Sequence, residues 1–284
     1  MSVTMTQTKA LDAKRVSRLP WGLVLAGLVF AFIVFCGIFP KVVAPFDPLS
    51  PNLLASLKPP SWTHLFGTDQ LGRDIFSRVV HGASHSLYIA TGATLIAVAV
   101  GIIIGLTSGV LGGVVDLAMM RVIDILMAFP SLLMSMAVVA FLGTDTTNIL
   151  IAIAIAMIPG YARIVRAQVL VIRDAGYVEA ARILGQHPFV TLIRHILPNT
   201  VGPLIVLATL GVGSAILQSA ALSYLGLGPK PPTPEWGLML AEGQSYLRVA
   251  WWIGVFPGLF ATLTIIATTV LGRGIKALTE GRAA

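Results

Sequence analysis

The chain has 284 residues, of which 56% are hydrophobic and 11% charged, with a formal net charge of +7. These proportions exclude an ordinary soluble domain, because several apolar stretches approach or exceed the roughly 20 residues that cross a bilayer. The basic residues are dispersed among those stretches, which fits the positive-inside rule better than a nucleic-acid surface. The single cysteine, Cys36, excludes an intrachain disulfide.

Residues 1–20 are polar and carry Lys9, Lys14, Arg15 and Arg18, as expected of a disordered cytoplasmic tail. A first span is predicted over 21–39, with Trp21 at the interface. It is expected to be retained, because it runs into Phe39-Pro40-Lys41 without a small-residue cleavage site. Residues 40–86 form an extramembrane segment, proline-rich as far as Pro60 and then carrying Gly67-Thr68-Asp69-Gln70-Leu71-Gly72-Arg73-Asp74. That run lacks the glycine spacing of a phosphate loop and the acid spacing of a calcium loop. It is expected to be structural, with Asp69, Arg73 and Asp74 pairing locally.

A second span, 87–110, is spotted with Gly92, Gly101, Gly105 and Gly109, which let membrane helices approach closely. A third is predicted over 117–142. Arg121 and Asp124 near its start are three residues apart and can share a helix face as a pair. The fourth, 149–165, contains Pro159-Gly160, a kink or break. A fifth span over 200–222 and a sixth over 251–271 flank a loop holding Pro229, Pro231, Pro232 and Pro234, expected to be stiff and extended. Trp236, Trp251 and Trp252 are expected at the membrane interface.

With the N-terminus inside and six spans, thirteen Lys and Arg lie on the cytoplasmic side and six outside. This places both termini, and the polar segment 174–198, in the cytoplasm. From about Tyr177 that segment has helix-favouring alanines and leucine, and Gly185 suits a helix end. Pro188 suits the first turn of a second helix, which is expected to end before Pro198. The outcome is a helix–turn–helix elbow. Arg163, Arg166, Arg173, Arg182 and Arg194 surround it, so an interfacial helix meeting anionic lipid is one reading. The flat Glu179-Ala180-Ala181 surface suits insertion into a protein groove.

Glu179-Ala180-Ala181, then Gly185, then a run ending in Leu197-Pro198 resembles the cytoplasmic signature of permease subunits of ATP-binding-cassette importers. The family pattern has Ile where this chain has His195. Gly67 to Asp74, Met120-Arg121 with Asp124, Ala128-Phe129-Pro130, Gly160 to Arg163 and Ser223 to Gly228 extend the resemblance over about residues 20–280. These blocks look like the second permease subunit of dipeptide, oligopeptide and nickel importers. The resemblance implies an all-α, six-helix type I importer permease fold of the bacterial inner membrane, with 174–198 as a coupling helix for an ATPase. Glu179, Ala180, Ala181, Gly185, Pro188, Leu197 and Pro198 would be the coupling residues. A homologous permease, two ATPase subunits and a solute-binding protein are implied as partners. The implied organisation is a tail, first span and outer segment over 1–85, a five-helix core over 86–273 and a cytoplasmic tail over 274–284.

The chain carries neither a Gly-x-x-x-x-Gly-Lys-Ser/Thr phosphate loop nor a Gly-x-Ser-x-Gly elbow. No cofactor is expected on it, and ATP and magnesium belong to the ATPase partners. His81 and His85, spaced i and i+4, share a helix face, but no acid or cysteine near them in sequence completes a metal set, so a hydrated pair is preferred. A nickel-chelate importer of the same branch is the alternative cargo reading. No charged residue is expected deep in a span, which counts against an ion-coupled secondary carrier. Ser214, Gln218 and Ser219 in the fifth span are candidates to line a translocation path, with helix-to-helix hydrogen bonding as the competing role of Gln218.

Overall fold

The computed structural model describes residues 21–279. Helix α1 covers Trp21–Ile38, and the short α2 covers Pro40–Val43. An irregular segment with one 3-10 turn at Leu53–Ala55 leads to α3, Ile75–Leu111. Then follow α4 (Gly113–Met127), α5 (Ser131–Leu142) and α6 (Thr146–Arg173). The elbow contributes α7 (Gly176–Ile183) and α8 (Pro188–Thr191), and α9 spans Leu197–Tyr224. Helices α10 (Trp236–Gln244) and α11 (Trp252–Thr279) complete the described chain. Five helical stretches are long and apolar enough to cross a bilayer, and the bent pair α4–α5 supplies a sixth.

The core of the bundle is the seam between α3 and α6, where the glycines of α3 act as the small residues that close helix approach requires. A Cβ on Gly105 would stand 2.5 Å from Cβ of Val165 and 2.7 Å from the Ala162 carbonyl oxygen. One built on Gly101 would stand 2.6 Å from Cβ of Tyr161. The backbone of α3 thus lies directly against side chains of α6.

The boundaries differ from the sequence expectation in four places, each with a local cause. Helix α3 begins at Ile75, not at 87, so a division at 85/86 would cut it. Asp74 caps it by accepting from Ser77 N at 2.8 Å, a start signal of Asp followed by an apolar run. At 37 residues, or about 55 Å at ~1.5 Å per residue, α3 outruns the bilayer core. The third span is broken: α4 and α5 meet at 90°. Pro130 disfavours the helical conformation at Phe129 and is itself extended, with ψ of 132°. Helix α6 runs on to Arg173 with Pro159 inside it. The 223–250 loop is not extended throughout but contains α10. There Glu235 accepts from Leu238 N at 2.8 Å, Ser223 Oγ at 3.0 Å and Ser86 Oγ at 3.3 Å.

Two tryptophans expected at the interface are buried. Trp236 donates from Nε1 to the Val79 carbonyl at 2.9 Å, and Trp252 to the Thr68 carbonyl at 3.0 Å. Trp21 and Trp251 are exposed. The segment before α3 is held by charge. Asp69 accepts from Arg73 Nε at 2.6 Å and faces Arg78 Nη1 at 3.4 Å, while Arg78 Nη2 donates to Glu242 at 3.3 Å. Asp69 and Arg73 therefore pair locally as expected. Asp74 instead meets His64 Nδ1 at 3.0 Å in addition to capping α3.

The seam is tested by Gly105→Val, which must push α6 away from α3. A loss of about 1–3 kcal/mol is expected, read as a lower thermal midpoint in detergent. Gly202→Ala, whose Cβ would meet nothing within 4 Å, is expected to hold or raise the midpoint.

Candidate functional site

Two features beyond the helical frame stand out: the elbow at the α6–α9 junction and a cavity beside α9. The elbow rests on its own small core. Val178 of α7 is fully buried and belongs to a cluster with Ile172, Ile196 and Leu204, while Ile102 and Leu106 of α3 pack against that cluster. Helix α7 ends as its sequence predicts. Gly185 has φ of +78°, Gln186 N donates to the Ala181 carbonyl at 3.0 Å, and Gly185 N donates to the Arg182 carbonyl at 3.0 Å. This is a Schellman ending, which satisfies two carbonyls that a helix end would leave open. His187 then accepts from Phe189 N at 3.2 Å, and Pro188 opens α8 where its missing N–H costs nothing.

Beyond α8 the structure departs from expectation. The helix does not stop before Pro198. A π turn over Leu192–Ile196 joins α8 to α9, and Pro188–Tyr224 is one helical stretch of 37 residues. Pro198 has no N–H to donate and its ring clashes with the carbonyl four residues back, here that of Arg194; the wider turn relieves both problems. The corner is braced across this turn: His195 Nε2 donates to Gln186 Oε1 at 3.1 Å, and Asn199 Nδ2 donates to the His195 carbonyl at 2.7 Å. The histidine at the position that departs from the signature pattern is thus a structural brace.

Glu179, Ala180, Gly185 and Pro188 are exposed, Ala181 and Leu197 half-buried, and Pro198 is exposed on the continuing helix. The Glu179 carboxylate has no hydrogen-bond or ion-pair partner among the described residues. Around it lie apolar side chains open to the surroundings: Leu184 is 86% exposed, Ile183 79% and Phe189 64%. The elbow thus presents an unpaired carboxylate amid exposed aliphatic and aromatic groups.

Of the arginines counted around the elbow, Arg163, Arg166 and Arg173 are held by partners, whereas Arg182 and Arg194 are exposed. Arg166 of α6 grips Asp116 of α4 with two bonds, Nε to Oδ1 at 2.5 Å and Nη2 to Oδ2 at 2.6 Å. Arg163 pairs with Asp124, and Arg173 Nη1 donates to the Gly109 carbonyl at 2.9 Å. The expected Arg121–Asp124 pair is therefore not made, and Arg121 is exposed. Asp116 and Arg166 are 50 residues apart, so nothing in helical spacing reveals them as partners.

The cavity, of about 440 Å3, lies between the α4–α5 break, α6 and α9. Met127, Phe129, Met134, Met157, Tyr161 and Ser214 are among its walls, and none of its lining residues is charged. The three path candidates part company here. Ser214 lines the cavity. Gln218 donates to the Ser131 carbonyl at 3.1 Å and to Ser135 Oγ, tying α9 to α5. Ser219 is buried, and its Oγ makes no hydrogen bond among the described residues. His81 donates from Nδ1 to the Ser77 carbonyl at 2.9 Å, and no group of three metal-ligating side chains occurs among the described residues.

A bundle of membrane-length helices with a braced, exposed elbow and an open, uncharged cavity beside α9 is the architecture of an integral-membrane protein. The chain belongs to the family of binding-protein-dependent transport system inner membrane components, whose model matches residues 101–283. It is 44% identical over 259 residues to the di/tripeptide transport system permease protein DppC of Pseudomonas aeruginosa, covering 89% of this chain and 86% of that protein. It is 42% identical over 260 residues to the probable D,D-dipeptide transport system permease protein DdpC of Escherichia coli K12, covering 92% and 87%. The glutathione transport system permease protein GsiD of Escherichia coli O157:H7 is 42% identical over 252 residues, covering 88% and 83%. In fold, the chain is similar to a crystal structure of an amino acid ABC transporter with histidines, at a TM-score of 0.54 and 19% identity, over 73% of this chain and 94% of that one. It is thus a permease subunit of an ATP-binding-cassette importer, a multi-pass protein of the inner membrane.

Gly185→Val tests the elbow's ending. A side chain there meets nothing within 4 Å, so its cost is the left-handed backbone alone, about 1–2 kcal/mol. Amide exchange is expected to accelerate at residues 183–187 and to stay unchanged in α3 and α6.

Proposed function

We propose that this subunit forms half of a translocation path for di- and oligopeptides and couples it to ATP hydrolysis on partner subunits through the elbow at 174–198. The observation that carries the reading is the continuity of Pro188–Tyr224. One helical stretch begins in the elbow, beside the exposed Glu179, and passes Leu207, Leu210 and Ser214 at the cavity wall. A push on the elbow is therefore carried to the cavity along one helical stretch, through the π turn at Leu192–Ile196 and past Pro203. Two ATPase subunits, binding ATP and magnesium, each receive one elbow: this chain's and that of a homologous permease. Glu179 and Ala180 face the ATPase, with Ile183, Leu184 and Phe189 as apolar anchors. Closure of the ATPase pair rocks the spans between inward- and outward-open states, and hydrolysis resets them. Both termini and the elbow lie in the cytoplasm, and a solute-binding protein delivers cargo to the opposite face.

Peptide cargo is supported by the relatives named for dipeptides, tripeptides and glutathione. It also suits the cavity. Walls without charge pass a zwitterionic backbone without holding it by an ion pair, and flexible methionines adapt to varied side chains.

The test is the complete importer reconstituted in vesicles with its binding protein. Dipeptides and longer peptides are expected to stimulate ATP hydrolysis and to accumulate. Glu179→Lys is expected to leave membrane insertion intact and to reduce both readouts roughly tenfold or more, since reversing a charge at a protein interface costs several kcal/mol. Normal coupled uptake in that variant would remove the elbow from the mechanism, and stimulation only by a non-peptide solute would overturn the cargo.

A further inference from the structure

At the end of α3 remote from the elbow, the groove between α1 and α3 holds two cavities, one above the other. The first, of about 490 Å3, is lined by Lys41, Phe46, Asp47 and His81. The second, of about 260 Å3, is lined by Phe30, Val34, Leu87, Tyr88 and Thr91, and by Gly37, Ile38 and Ser84 at its upper end. Their residues follow each other along the same faces. On α3, His81, Ser84, Tyr88 and Thr91 are spaced three or four apart; on α1 so are Phe30, Val34 and Ile38. Ser84 thus stands one turn below His81, and Lys41 follows Ile38 across the break between α1 and α2.

We propose that this groove binds one glycerophospholipid with a primary ammonium headgroup. The upper cavity offers both charges such a headgroup needs. Lys41 has no hydrogen-bond or ion-pair partner among the described residues and is free to meet the phosphate. Asp47 uses one oxygen, Oδ1, to accept from Leu49 N at 2.9 Å, leaving Oδ2 for the ammonium. His81 commits Nδ1 to the Ser77 carbonyl, which leaves Nε2 uncommitted toward the headgroup.

The upper rim is preformed. Phe46 N donates to Ser77 Oγ at 3.2 Å, and the Phe46 ring lies 5.1 Å from that of His64, which is itself fixed by Asp74. The floor is preformed as well: Ser84 Oγ donates to the Gly37 carbonyl at 2.5 Å.

The dimensions fit one leaflet. Eight residues of α1 separate Phe30 from Ile38, about 12 Å at ~1.5 Å per residue, within one leaflet of a bilayer core of roughly 30 Å. An acyl chain gains no hydrophobic free energy by leaving bulk lipid for an apolar groove. Selection therefore lies with the headgroup, and so with Lys41, Asp47 and His81.

Native mass spectrometry of the full-length chain, purified in the complex it assembles and given equimolar phosphatidylethanolamine, phosphatidylglycerol and phosphatidylcholine, tests this. A single phosphatidylethanolamine adduct is expected to predominate. Lys41→Ala is expected to weaken it about tenfold, the loss of one charge-assisted hydrogen bond. Asp47→Asn is expected to abolish the preference over phosphatidylcholine while retaining an adduct. Both positions are exposed, so neither change threatens folding. Equal adducts with all three lipids, an unchanged preference in both variants, or no adduct would overturn the proposal. So would a cross-link from Val34→Cys to another protein subunit, which would show the groove filled by a helix.

Discussion

The closeness of α3 to α6 is the constraint on which the other helices depend. Inside a bilayer the hydrophobic effect does not press helices together, and association rests on contact at short range. Gly101 and Gly105 allow that contact by leaving the backbone of α3 bare against Tyr161 and Val165. The two helices then form the frame on which the elbow and the segment before α3 are both mounted. One end of the frame supplies Ile102, Leu106, Val165 and Val169 to the cluster under α7. The other end supplies Val79, Ser86 and Arg78 to the packing of Trp236, Glu235 and Glu242.

The two ends are finished in different ways. At the end where α3 begins, charges and buried side-chain bonds hold an irregular segment in place, and a buried ion pair keeps its register because leaving either member unpaired is costly. Asp69 with Arg73 and Arg78 fulfils that role. At the elbow local backbone chemistry dominates: a Schellman ending and a proline-opened helix are readable within a few residues, and a π turn that is not carries the chain on into α9. The elbow is therefore continuous with α9, whereas the segment before α3 is tied to α3, α10 and α11 together.

Legibility follows the range of the interaction. The ending of α7 at Gly185 and the opening of α8 at Pro188 were legible because capping depends on neighbours in the chain. The glycines of α3 were legible as a close-packing face, though the identity of α6 as their partner was not. Trp236 and Trp252 misled, because a tryptophan beside an apolar run has the same local pattern at an interface as in a core. Arg121 and Asp124 had the right spacing to pair, yet Asp124 faces Arg163 across to α6. Proline misled twice in opposite senses: Pro130 breaks a span that hydropathy joins, and Pro198 fails to break one that its chemistry threatens.

By itself the sequence determined that this is a multi-pass helical membrane protein, that an amphipathic elbow interrupts its hydrophobic pattern, and which residues form that elbow. Those properties rest on hydropathy over about 20 residues and on capping over about four, both local in the chain. Only the tertiary structure decided that α8 and α9 are one stretch, that the third span bends by 90° around a cavity, and which acid each arginine holds. Partners 50 residues apart are chosen by how the helices pack, and local spacing carries no record of that choice.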